Sequence, residues 1–453
     1  MQSKVSMIVP CYNKVKWIGG MLQSVNDQHW NNIELILVND GSTDGTREVI
    51  TEWEPKLKAR GYEVIIIDQT NQGPAGAVRT GMLRMSGDYF CTIDCDDRLA
   101  CEYLTIMAGW LEDNREYDGV SCELEEKEWE YQPEKNIIWK HSAESPNRLE
   151  NYIFQRMVIS ACIYLTRTSY IERCRVIQNF STIPCFSQEP QLNVPLFSNN
   201  GKFKHIPKGL YLRNRAARDT TAIGTVSKNM RCMEKYYDLI ALSIQALDKP
   251  FAQKEKLFIL KELGRLKAYV NWTANFTEAA PFWQQWIDEY ISLVCKHFSF
   301  SPESVRKNVS FNNIRIFFQA FEKWLLNEPQ EKMPKIPKGG RIIGYGALGK
   351  IAQKLLPFLK ETPYSPTILW DNAATDMKLD FESLTSNDML LILPASLDIL
   401  REVKEKLQNI KSEAICVDND TIIDYLGNIL FPVFSENFYF TPYAATPDRK
   451  ASF

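Results

Sequence analysis

The chain has 453 residues, 45% of them hydrophobic and 24% charged, with a formal net charge of -3. That length implies roughly two to four domains with ample core, and a near-neutral balance without a basic run speaks against a nucleic-acid partner. The 11 cysteines show neither C-x-x-C nor paired spacing, which argues against zinc and disulfide frameworks and fits a reducing compartment. The apolar run before Pro10 is too short for a signal peptide, and none approaches the ~18 residues of a membrane span. A soluble, cytoplasmic protein is expected.

In chain order, Val5 to Val9 reads as a short apolar strand broken by Pro10-Cys11-Tyr12-Asn13, and Trp17 to Val25 as an amphipathic helix. Ile33 to Val38 is a second strand, ending in Asn39-Asp40-Gly41-Ser42-Thr43-Asp44-Gly45-Thr46, turn and cap residues that open a helix near Arg47. A third strand, Glu63 to Ile67, leads through Asn71-Gln72-Gly73-Pro74 into another helix. Strands alternating with helices predict a parallel, doubly wound α/β sheet with its site at the strand C-termini.

The fourth strand, Tyr89 to Ile93, delivers Asp94-Cys95-Asp96-Asp97. Carboxylates that close repel one another and resist burial unless something neutralises them. The pattern suggests a hard divalent cation, Mg²⁺ or Mn²⁺, held by one or two carboxylates plus substrate phosphates. The plainer alternative makes Asp97 the cap of a helix from Leu99 onward.

Val9-Pro10-Cys11-Tyr12-Asn13, the Val38 to Thr46 segment, Asn71-Gln72-Gly73 and Asp94-Cys95-Asp96-Asp97 follow in order, and together they resemble the nucleotide-sugar half of the family 2 glycosyltransferases of GT-A fold. The resemblance implies that Pro10 and Tyr12 shape a base pocket, with Asn13 and Gly73 completing it. Asp40 would accept the imide N–H of a uracil ring, favouring a UDP-sugar (or dTDP-sugar) donor. Asp94, with Cys95 beside it, would contact the ribose or the metal, and Asp96 would hold the metal on the donor diphosphate. Two departures stand out. The family often has Glu where Val15 stands, and Arg where Val78 stands, with Arg79 one residue later. One residue turns a helical side chain by about 100°, so Arg79 is either a donor contact or a solvated surface residue.

Further on, Gln188-Glu189-Pro190 matches the place where inverting members carry Glu-Asp. The resemblance makes Glu189 the base that deprotonates an acceptor hydroxyl. The alternative is a first-turn acid complementing a helix dipole. Arg213, Arg215 and Arg218 after the next strand could meet phosphate oxygens or form a solvated basic loop. The implied activity is metal-dependent, inverting transfer of a sugar to a glycan or lipid-linked acceptor in surface polysaccharide or glycoconjugate synthesis. A decayed sugar-nucleotide-binding protein is the alternative.

From Met230 an apolar stripe (Met233, Tyr237, Ile240, Ile244, Leu247) opens a run of helices. These stripes read as core. An exposed aromatic face among them would mark a homo-oligomer interface or a docking surface for a lipid-linked acceptor, placing the protein peripherally at the inner membrane face. After a proline- and charge-rich linker, Gly344-Tyr345-Gly346-Ala347-Leu348-Gly349 sits between a strand and a helix, and Asp371 ends the next strand. This predicts a small Rossmann-like domain resembling those of bacterial sugar-modifying enzymes. Its glycines serve either a dinucleotide phosphate, making the chain bifunctional with NAD(P), or only the turn and helix–sheet packing. The expected domains are 1–225, 226–335 and 336–453.

Overall fold

The structure is a computed structural model and describes residues 2–127, 137–138, 145, 147–157, 160–180, 187–214, 226–273, 279–298, 300–306, 309–310, 313–326, 332–347, 350–370, 381–393, 397–409 and 413–431. These fall into two compact units, Met1–Leu293 and Val294–Phe453.

The first unit begins with β1 (Val5–Cys11), α1 (Val15–Asn26), β2 (Ile33–Asn39), α2 (Thr46–Ala59), β3 (Glu63–Asp68), α3 (Gly73–Met82), β4 (Tyr89–Thr92) and β5 (Arg98–Leu99). It continues with α4 (Tyr103–Asp113), β6 (Gly119–Lys127), β7 (Ile137–Ile138), α5 (Arg148–Ile153), β8 (Tyr164–Arg167), α6 (Thr168–Arg173), α7 (Val176–Asn179), α8 (Glu189–Phe197) and β9 (Phe203–Asn214). Two long helices follow, α9 (Val226–Ala246) and α10 (Phe251–Thr273), and a third, α11 (Ala280–Phe298), runs past Leu293 into the second unit. The main sheet runs β3-β2-β1-β4-β8-β6-β9-β5, with β7 paired to β6. β3, β2, β1 and β4 are parallel, as alternating strands and helices predict. Beyond β4 the sheet is mixed, because β8 runs antiparallel to both β4 and β6.

β1 does not stop at Val9. It carries Pro10 within it and ends at Cys11, in register with Val38 and Asn39 of β2. In a parallel ladder successive residues bond to alternate neighbours. Ile8 accepts from Ile93 on the β4 side, at 3.0 Å, and Cys11 accepts from Asp40 on the β2 side, at 2.8 Å. Pro10 therefore faces β4, whose ladder with β1 has already ended at Ile8 and Thr92, so its missing N–H interrupts no ladder hydrogen bond between the two strands. Parallel register thus brings the ends of β1, β2 and β4 to one edge. Tyr237, Ile240 and Ile244 on α9, and Leu247 just after it, are buried, as core residues of the apolar stripe should be. α9 packs on both α8 and α10.

The second unit holds α12 (Pro302–Arg306), α13 (Ile314–Leu325), β10 (Ile342–Tyr345), α14 (Lys350–Leu359), β11 (Ile368–Trp370), β12 (Met389–Ile392), α15 (Leu397–Asn409), β13 (Ile415–Val417) and α16 (Asn419–Leu430). Its sheet, β11-β10-β12-β13, is parallel throughout. Ile343, Tyr345, Leu390, Ile392, Val403 and Leu407 form its core. Arg341 clasps the buried Asp388 with two nitrogens, at 3.0 and 2.7 Å, tying the approach to β10 to that of β12.

Candidate functional site

The loops after β1, β2 and β3 are bound to one another by side-chain to backbone hydrogen bonds. Asn13 adopts φ +50°, which Asn tolerates better than most residues. Its Oδ1 accepts from the Thr43 N–H at 2.8 Å, and its own N–H donates to Ser42 Oγ at 3.2 Å. The next two N–H groups donate to Thr46 Oγ1 (Lys14, 2.8 Å) and to Asp44 Oδ2 (Val15, 3.0 Å). Asn13 is accordingly a staple between loops, a role its position in the motif did not disclose. Asp40 is 2% exposed, and its Oδ1 accepts both Gln69 Nε2 at 2.7 Å and the Gln72 N–H at 2.8 Å. Both bonds use Oδ1, which leaves Oδ2 for a ligand. Gly73 enters α3 at φ +76°, with its N–H on Asn71 Oδ1 at 3.2 Å. Pro10 is buried beneath this edge while Tyr12, 47% exposed, stands at its rim.

The three carboxylates after β4 divide in role. Asp97 is buried and accepts Tyr211 Oη at 2.7 Å and the Asn214 N–H at 2.8 Å, both from β9. It does not cap a helix. The chain continues from it as β5, antiparallel to β9, and the next helix starts only at Tyr103. A carboxylate that accepts from a buried strand end anchors that strand, a partner no local pattern reveals. Asp94 donates its N–H to Tyr211 Oη at 3.2 Å and accepts Gln188 Nε2 at Oδ1, 3.4 Å. Asp96 pairs with Lys14, Nζ to Oδ2 at 2.7 Å. Cys95, between them, is buried.

Burial, reinforced by Asp97, Glu189 and Asp96 and opposed by Arg213, pushes the Asp94 carboxyl up to about 8. Burial and the neighbouring Asp96 likewise lift Asp97 to about 6, against the hydrogen bonds from Asn214 and Tyr211. Both lie above the ordinary value near 4, so the folded chain holds these protons more tightly than the unfolded one. The resulting stability is complete below about pH 4 and is lost as pH rises through 6 and then 8. Thermal melts in EDTA are expected to fall between pH 5 and 8.5, and Asp94→Asn should flatten the upper part of that decline. A flat wild-type profile would refute this.

Arg79 lies half-buried on α3, its Nε without a hydrogen-bond partner, while Val78 faces the core and is fully buried. Arg213 on β9 is the cation acting on Asp94 and Asp97. Arg215 and Arg218 lie outside the described residues. Lys14, which no motif singled out, sits on Asp96.

Glu189 is the first residue of α8 and its only part-exposed one, since residues 190–197 are all buried. α8 is thus a buried helix with one acid at its open end. Ser187 Oγ donates to Glu189 Oε2. Behind it lie Tyr152 of α5 and Tyr236 of α9, their rings 6.2 Å apart. Burial holds both hydroxyls well above their usual acidity range, with Glu189 among the charges adding to it. Sequence reasoning missed these tyrosines, which sit in helices with no motif around them.

In the second unit Gly346, at φ +73°, and Ala347 both donate their N–H groups to the Trp370 carbonyl, at 2.8 and 3.3 Å. A Cβ on Gly344 would lie 3.0 Å from Leu369 and 3.2 Å from Leu393. At these positions the glycines serve the turn and the packing, and neither N–H is free for a phosphate. Leu348, Gly349 and Asp371 lie outside the described residues. Among the described residues no helix is long and apolar enough to cross a membrane, and no group of three or more Asp, Glu, His or Cys could alone hold a metal.

Residues 6–174 match the family model described as glycosyl transferase family 2. Glycosyltransferase GlyA of Streptococcus pneumoniae is 35% identical over 107 residues, covering 24% of this chain and 15% of that protein. The uncharacterized glycosyltransferase EpsJ of Bacillus subtilis is 26% identical over 234 residues, covering 48% of this chain and 63% of EpsJ. The chain thus spans less than two thirds of either. S. aureus TarS residues 1–349 in complex with UDP-GlcNAc aligns with TM-score 0.48 and 19% identity, covering 74% of this chain and 95% of that one.

Proposed function

From the family 2 glycosyltransferase domain that residues 6–174 carry, we propose that this chain transfers a sugar from a UDP-sugar to an acceptor hydroxyl with inversion, in the assembly of a glycan or glycoconjugate. The observation that carries the reading is the meeting of Glu189 with the β4 carboxylates. Gln188, the residue before Glu189, reaches Asp94 at 3.4 Å, and the charge of Glu189 bears on Asp94. A base candidate therefore opens onto the same edge as the carboxylates that would hold a nucleotide diphosphate.

The residues present fit a hard divalent cation only together with the donor. Asp97 is spent on β9, which leaves Asp94 and Asp96 as oxygen ligands, and Mg²⁺ or Mn²⁺ bound by one or two carboxylates completes its shell with phosphate oxygens and water. When bound, such a cation would supply Lewis-acid stabilisation of the departing diphosphate. The chain does the rest. Asp40 Oδ2 accepts the imide N–H of uracil, Tyr12 flanks the base, and the loop staples hold both in place. Glu189 takes the proton of the acceptor hydroxyl as its oxygen attacks the anomeric carbon. The bond from that carbon to the diphosphate oxygen breaks, UDP leaves with the electron pair, and a single displacement inverts the centre.

A thermal-shift panel of UDP, GDP and CDP, each with and without Mn²⁺, tests the donor site. Stabilisation by UDP that needs Mn²⁺ and vanishes in Asp96→Asn is the expected result. Equal stabilisation by all three nucleotides, or none by any, would sink the UDP reading.

A further inference from the structure

Lys14 caps the start of α1, and its backbone is fixed. Its N–H donates to the buried Thr46 at 2.8 Å, between the stapled N–H groups of Asn13 and Val15. Only the side chain is free to move, and its ammonium lies 2.7 Å from Asp96 Oδ2. The two side chains are 32% and 18% exposed. Both side chains keep some access to solvent, and an ammonium on a flexible four-carbon stem can leave one anion for another without moving the backbone. It stands on a carboxylate that the preceding reading gives to a divalent cation.

Resting on that reading, we propose that Lys14 is a displaceable counter-ion of the donor site. In the ligand-free chain its ammonium neutralises Asp96 and competes with any cation for that oxygen. When donor and cation arrive together, Lys14 exchanges Asp96 for the diphosphate oxygens, which a flexible ammonium suits. Cation binding removes the lysine's partner, and the diphosphate supplies a new one. Each ligand thereby strengthens the other, and by linkage the coupling is reciprocal. The chain would bind a metal poorly alone and well with its nucleotide, so the carboxylates are not left holding a cation between turnovers.

The test uses the full chain and Lys14→Met, which keeps an unbranched stem of similar length and removes the charge. Mn²⁺ binding is read from the free-ion electron paramagnetic resonance signal without nucleotide, and UDP binding by calorimetry at saturating Mn²⁺. Relative to wild type, Lys14→Met should bind Mn²⁺ alone about tenfold more tightly and UDP about tenfold more weakly, within the range typical of coupled sites. Mn²⁺ binding that is unchanged or weaker in Lys14→Met, with wild-type UDP binding intact and Mn²⁺-dependent, overturns the inference and leaves the donor site standing. Tighter Mn²⁺ with unchanged UDP affinity overturns the exchange onto the diphosphate. If wild type binds neither UDP nor Mn²⁺, the donor-site reading itself fails. Asp96→Asn, which should lose nucleotide-free Mn²⁺ binding in both backgrounds, ties the signal to this carboxylate.

Discussion

Glu189→Gln is expected to lower kcat by about a hundred- to ten-thousand-fold, the usual contribution of a positioned general base, while leaving UDP affinity within a few-fold. The substitution is nearly isosteric, and the amide oxygen can still accept from Ser187 Oγ, which bonds Glu189 in the native chain. Glu189 is also the one part-exposed residue of an otherwise buried helix, so α8 keeps its packing. What is lost is the ability to take a proton. Single-turnover assays with UDP-sugars, alongside UDP calorimetry, separate the two effects. A variant that retains full kcat would return Glu189 to the role of a dipole-complementing acid. A variant that loses UDP binding and turnover together would show that the residue acts through Asp94, whose carboxyl feels its charge.

Asp40→Asn should weaken UDP by roughly 2 kcal/mol, about thirtyfold, the scale of a hydrogen bond to a charged group. Asp40 has divided duties. Oδ1 accepts both Gln69 and Gln72, and an asparagine oriented to keep those bonds must turn its NH₂ toward the base. A donor would then meet the imide N–H of uracil, leaving two hydrogens opposed in a buried setting. Cytosine presents a ring acceptor at the equivalent position, so CDP should gain relative to UDP. Calorimetry with both nucleotides measures the switch. An unchanged UDP/CDP ratio would place the base elsewhere.

The alternation of short apolar strands with helices was enough to predict the parallel half of the main sheet, because each strand of a buried parallel sheet is a continuous apolar run ended by its own polar loop. Those loops also carry Asp40, Gly73, Asp94 and Asp96, the residues that the family resemblance marks as candidates. The stripe on α9 was legible from its apolar periodicity. Partners distant in the chain were not. Asp97 read equally well as a helix cap, and only the return of β9 gave its oxygens Tyr211 and Asn214. Pro10 looked like a strand breaker until the early end of the β4 ladder left its missing N–H without consequence. The glycines near Gly346 allowed a phosphate or a tight turn, and the Trp370 carbonyl shows two of the N–H groups committed to the turn.

The sequence by itself therefore determined which residue types stand at the strand ends, and with them the chemistry available: carboxylates, a small-residue loop and an acid opening a helix. The tertiary structure decided which of them meet. Parallel register brought Asp40 and Asp94 to one edge, α8 brought Gln188 to Asp94, and the stapled loop after β1 placed Lys14 on Asp96. Local patterns record the backbone preferences of neighbours in the chain. A hydrogen bond or ion pair across 80 or 100 residues depends on where the whole core places each strand end.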